Sequence, residues 1–342
     1  MWTSVFDWLL PAARQEKKTV DGGSALLRIV GILCVVLLHM KSYFHMESSD
    51  VLSRQVLSVV YACCFWAVPA FVVLSGYHVI SNLDTIDVGE YYRKRVARLA
   101  AKAFFWGAFF TLVCSVIGHG MSSWWHDWLR CRPFFHLWFV FMLVGLYALA
   151  PICSKALANV YVMAGAVVVQ VFVMVNPVLF DSPFWQCPAL ISLPYVVPFL
   201  LGGLVARCRI GRRLGRISVV VSVNYFAIVA FVWLNDGKLG FYPVCHYLGF
   251  FGLMGGLSAV VSLLYVGKSF SPKACIRLFR VSRLVFGVYV VHPLVMTALL
   301  KVFPLAFSSG AFGVALGWAC VCLASFVLVA LMLKVPLLRR FL

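Results

Sequence analysis

Acidic side chains are scarce in this sequence. Eleven Asp and Glu stand against 29 Lys and Arg in 342 residues, and none of the eleven lies in the middle of a long apolar run. The closest are Glu47 and Asp50, which stand just beyond the first run and are near enough to fold back over its outer end. A proton- or sodium-coupled transporter usually needs a carboxylate near mid-membrane, and a Ser-His-Asp triad needs one beside its histidine. Neither is evident. Also missing are a GxGxxG after a strand, a P-loop and a nucleophile elbow. No CxxC or His/Cys spacing resembles a metal site. There is no long polar stretch able to form a soluble domain. Most of the twelve cysteines sit in apolar runs, where they read as small packing residues. Only Cys131 and Cys187 fall in external loops, where an oxidising compartment would let them pair.

What is present is apolar. The chain is 63% hydrophobic and 12% charged, against roughly 45–50% and about 25% in soluble domains. Apolar runs of about 20 residues recur along the chain, the length of a membrane-spanning helix and too long for barrel strands. The expected fold is an all-α polytopic membrane protein with about ten spans, near residues 24–44, 57–81, 99–119, 135–153, 159–180, 189–206, 217–234, 242–266, 284–304 and 312–333. Basic residues cluster after every second span, leaving only Lys41, Arg54, Arg130, Arg132, Lys238 and Lys301 for the other side. The positive-inside bias then places both termini in the cytoplasm. Residues 1–23 read as a cytoplasmic segment, 24–333 as one membrane domain and 334–342 as a cytoplasmic tail. The first segment is either a short interfacial helix, with Trp2, Val5, Phe6, Leu9 and Leu10 on one face, or a frayed terminus. The net charge of +18 reflects this bias and attraction to anionic lipid headgroups. It is spread over loops between spans, which argues against nucleic acid as a partner.

The first run, LLRIVGILCVVLLHM, carries Arg28 and His39. Eleven helical steps are close to three turns, so both side chains point the same way, about 16 Å apart along the axis. Ionisable groups in a span usually face a pathway or a site rather than lipid. His39 reads either as a general base, its ordinary pKa lying near neutrality, or as a polar packing residue bonded to a neighbouring helix. Arg28 reads either as a ligand grip or as an arginine snorkelling to the interface.

An arginine, ten residues and a histidine in the first span resemble the R-x10-H signature of the acyltransferase-3 family of membrane acyltransferases. FWAVPAFVVLSGY (65–77) resembles the family's second span ending in Ser-Gly. In YYRKRVARL (91–99), Arg95-x-x-Arg98 resembles its RxxR. HLWFVFMLVGLYALAPI (136–152) is similar to its fourth span, most closely in the branch of the enterobacterial common antigen O-acetyltransferase. GVYVVHPLV (287–295) is similar to its late Tyr-x-x-His segment. The five blocks stand in family order from residue 28 to 295.

The resemblance implies an O-acyltransferase of the bacterial inner membrane. Such an enzyme moves an acetyl group from cytoplasmic acetyl-CoA, with no permanently bound cofactor or metal, to a hydroxyl of a cell-surface or lipid-linked saccharide. Some members carry an added extracytoplasmic hydrolase-like domain. None is evident in this sequence, so the membrane domain is expected to handle both donor and acceptor. On this reading Arg28, Arg93, Arg95 and Arg98 hold the phosphates of CoA through guanidinium forks. Ser75 and Gly76 let the donor approach the backbone, and His39, with Arg28, carries the catalysis. His136, Trp138, Tyr289 and His292 are the candidates for the acceptor. Helix packing competes for Ser75 and Gly76, packing at the interface for His136 and Trp138, and topology signalling for the loop arginines. The partners implied are acetyl-CoA, the saccharide and lipid, with a homo-oligomer left open. The rival class is a transporter or flippase for a lipid-linked sugar, whose natural mark would be an internal repeat; none is evident.

Overall fold

The computed structural model describes residues 21–43, 51–83, 86–116, 124–157, 159–179, 191–208, 210–234, 249–303 and 310–342. The interfacial N-terminal helix, the fold-back of Glu47 or Asp50, and Cys187 as partner for Cys131 lie outside the described residues. Among those described, every regular element is helical. Eight helical runs are long and apolar enough to cross a membrane: Gly22–Met40, Gln55–Ile80, Val88–Val116, Trp138–Ala156, Arg212–Val232, Phe250–Gly267, Val285–Val302 and Gly310–Met332. Tyr161–Phe172 and Leu193–Arg207 are shorter apolar helices where the remaining two spans were expected.

The chain divides into two compact units, residues 1–71 with 210–340 and 342, and residues 72–209 with 341. In the first, helix α1 (Gly22–Tyr43) is central. It packs against α2 (Val51–Ala62), α11 (Phe250–Gly267), α12 (Pro272–Ser282), α13 (Val285–Val302) and α14 (Gly310–Met332), while α10 (Arg212–Leu234) lies along α11. A helix enclosed in this way is apolar all round rather than along one stripe, as the first run is. Lipid tails are as apolar as leucine, so burial alone does not drive helices together; close packing and interhelical hydrogen bonds do. Both are visible around α1. A Cβ on Gly23 would strike the backbone of Leu263, and one on Gly267 the backbone of Gly23, so the ends of α1 and α11 meet backbone to backbone. Asp21 caps α1, its Oδ1 accepting from the amides of Gly23 (3.0 Å) and Ser24 (3.1 Å), where a negative charge is also favoured by the helix dipole. Trp318 Nε1 donates to the carbonyl of Leu33 at 2.9 Å, tying α14 to α1.

The second unit takes up α3 (Ala67–Ile80) from Val72 onward. It contains α4 (Val88–Tyr91), a π-turn (Tyr92–Val96), α5 (Ala97–Val116), α6 (Trp124–Leu129), α7 (Trp138–Ala156), α8 (Val160–Leu179) and α9 (Val196–Arg207). Gly76 and Gly202 join α3 to α9: a Cβ on either would strike the backbone of the other helix, at Phe199 and at Val73. The π-turn is held by two tyrosines. Pro151 inside α7 has no N–H, so it removes the donor that would close on the carbonyl of Tyr147 four residues back. Tyr91 O–H donates to that carbonyl at 2.8 Å, and Tyr92 O–H donates to the next, Ala148, at 2.7 Å. Large apolar side chains that stay exposed, such as Phe104, Leu112 and Val116 on α5, suit a surface that meets lipid.

Candidate functional site

Helix α1 is unbroken from Gly22 to Tyr43, so Arg28 and His39 keep the register inferred for them, about 16 Å apart along the axis. Both residues keep part of their surface accessible. The residue that meets His39 comes from the other half of the sequence. His39 Nδ1 lies 2.8 Å from His292 Nε2, on α13. The ring centroids are 5.0 Å apart and the ring planes differ by 17°. That separation is about the N···N contact plus two ring radii, so the imidazoles meet edge to edge in a shared plane, the direction in which a ring N–H points at a ring lone pair. His292 is completely buried, and its Nδ1 lies 3.1 Å from the carbonyl of Val288, one turn back on the same helix. Tyr289 is partly buried, its ring 6.1 Å from that of His292.

The first unit thus brings His39 and His292 into contact, with Tyr289 beside them and Arg28 three turns along α1. The other candidates belong to the second unit. Arg93 and Arg95 ride on the π-turn and Arg98 on the first turn of α5. All three are exposed, and no carboxylate among the described residues pairs with them; Glu90 is taken instead by Lys94 one turn on. The two tyrosine hydroxyls anchor this basic segment to α7, an arrangement that the sequence reasoning missed. Its signal was present: a proline inside an apolar helix leaves a carbonyl seeking a donor, and adjacent tyrosines are suited to supply one.

Ser75 is partly buried on α3. The face of Gly76 is filled by the backbone of α9, so the close approach its missing Cβ allows is used by a helix. His136 has no accessible surface and sits among Phe110, Phe134 and Phe135, with ring centroids 5.1–5.5 Å away. Trp138 opens α7 and leans on Tyr195 at 5.7 Å. Among the described residues no group of three or more His, Cys, Asp or Glu is placed to hold a metal ion.

A family model described as an acyltransferase domain matches residues 22–334. The chain belongs to the acyltransferase-3 family. Chemistry and packing in this acyltransferase therefore share one apolar scaffold, in which a polar side chain is costly unless it is paired. No curated protein and no solved structure matches the acyltransferase.

Proposed function

We propose that this membrane acyltransferase is an O-acetyltransferase that moves the acetyl group of cytoplasmic acetyl-CoA to a hydroxyl of a cell-surface or lipid-linked saccharide. It would sit in a bacterial inner membrane with ten spans and both termini in the cytoplasm, in the branch of the enterobacterial common antigen O-acetyltransferase. The observation that carries the reading is the environment of His39. It stands on a span, keeps part of its surface accessible, and has one ring nitrogen bound by His292. On this reading Nε2, on the side of the ring away from His292, is the atom that takes the acceptor proton.

The chemistry balances without a cofactor. The acceptor O–H gives its proton to His39 Nε2 while its oxygen bonds to the thioester carbonyl carbon. The carbon–sulfur bond then breaks, and the proton passes from His39 to the departing sulfur. The products are the acetyl ester and free CoA thiol. The phosphates of CoA need a basic anchor, and Arg93, Arg95 and Arg98 offer exposed guanidiniums on a pinned turn, suited to forked contacts with phosphate. Arg28, at the far end of α1 from His39, is the corresponding cation in the first unit.

A general base contributes about 10²–10⁴-fold to rate. His39→Gln keeps hydrogen-bonding capacity but cannot accept and release a proton. Acetylation of host glycans by that variant is expected to fall by at least about 100-fold at unchanged membrane abundance. Near-normal acetylation would remove His39 from the mechanism.

A further inference from the structure

We infer that His292 is a positioning residue for His39: it sets which nitrogen of His39 carries the hydrogen and holds that ring in plane, so that Nε2 faces the acceptor as the proton-accepting atom. The inference rests on the reading of His39 as the base and adds a second residue to it.

The assignment follows from a carbonyl. The oxygen of Val288 can only accept, so the nitrogen facing it at 3.1 Å, His292 Nδ1, carries the hydrogen. A neutral imidazole with hydrogen on Nδ1 presents a lone pair at Nε2. The 2.8 Å contact to His39 Nδ1 therefore has its hydrogen on His39. Neutral His39 is then left with its lone pair at Nε2, on the side of the ring away from His292. The order runs in one direction, from backbone carbonyl through His292 to His39, and its origin is fixed by the helical geometry of α13.

The surroundings hold that origin still. His292 has no accessible surface, and Val288, Val290 and Met296 on its helix are likewise fully enclosed. Thr297 O–H donates to the carbonyl of Pro293 at 2.8 Å, and the ring of Pro293 locks φ immediately after His292. A residue enclosed in this way does not touch an acceptor sugar, whereas His39 keeps accessible surface. Site and support are separated by burial.

Among the described residues no carboxylate meets this pair of imidazoles, and the arrangement shows how a base can be oriented without one. In a Ser-His-Asp triad the orienting group is an anion, and an anion at membrane depth is costly before any reaction begins. An imidazole orients the base while uncharged. When His39 takes the acceptor proton at Nε2, its Nδ1–H still points at His292 Nε2, and the contact becomes a charge-assisted hydrogen bond. The ionic character appears only while the proton is held.

The test compares His292→Phe, which keeps a ring and removes the acceptor, with His292→Gln, whose amide oxygen can accept from His39 Nδ1–H. Transfer of radiolabelled acetyl from acetyl-CoA into the glycan fraction of host membranes is measured, with KM for acetyl-CoA. Histidine ring ¹⁵N signals of purified protein in nanodiscs report the tautomer, with the His39 signal identified by its loss in His39→Gln. Turnover is expected to fall by about 100-fold or more in the Phe variant and to stay within about tenfold of wild type in the Gln variant. KM for acetyl-CoA is expected to be unchanged in both. His39 is expected to show the Nδ1–H tautomer in wild type and in the Gln variant and to lose it in the Phe variant. Wild-type turnover by His292→Phe, or an Nε2–H tautomer at His39 in the wild-type protein, overturns the inference. If His39→Gln itself turns over normally, the base reading falls, while the wild-type tautomer still tells whether His292 orders that ring.

Discussion

The anchor of the basic turn can be tested by removing one oxygen. Tyr91→Phe deletes the hydroxyl that donates to the carbonyl of Tyr147 at 2.8 Å, and Tyr91 is 3% exposed, so water is a poor substitute. Because Pro151 has withdrawn the helix's own donor from that part-buried carbonyl, the loss includes the desolvation cost of the acceptor and exceeds the net value of an ordinary hydrogen bond. The expected destabilisation is about 1–3 kcal/mol. Pro151→Ala restores a backbone N–H that can close on the carbonyl of Tyr147, and in that background Tyr91→Phe should cost only about 0.5–1.5 kcal/mol. The two sites should couple by on the order of 1 kcal/mol. Reversible unfolding in mixed detergent–SDS titrations, run on the four proteins of the cycle, measures this directly. Equal costs in the two backgrounds, within about 0.5 kcal/mol, would refute the account of Pro151 and Tyr91 as one device.

The donor reading predicts that Arg95→Ala combined with Arg98→Ala weakens acetyl-CoA binding by purified protein in calorimetry while leaving the unfolding titration unchanged, since both side chains are exposed and without a described carboxylate partner. Unchanged binding would make these arginines topology signals. Gly202→Ala would force apart the backbones of α3 and α9. It should destabilise the second unit by about 1–3 kcal/mol, the usual cost of overpacking, and lower membrane abundance. An unaltered titration midpoint would mean that the two helices part without cost.

The sequence alone determined the class of molecule and much of its layout. Apolar runs of spanning length leave helices as the only way to satisfy the backbone in lipid, and helices appear at all ten expected places, eight of them long and apolar enough to span. The R-x10-H register survived because an unbroken helix makes sequence spacing into geometry. The family was equally legible, since ordered motifs do not need a fold to be recognised.

What the tertiary structure decided is what each polar group touches. His39 and His292 are 253 residues apart, and no local periodicity links them; they meet because α13 packs on α1. The sequence pointed to His292 as an acceptor contact, and only the fold shows that its side chain is fully buried against His39. The same holds for Gly76, where a missing Cβ says that something comes close but not whether it is a ligand or, as here, the backbone of α9. Helical spacing is a local property written in the chain. The partner across a helix interface follows from packing between distant segments, so it exists only in the folded protein.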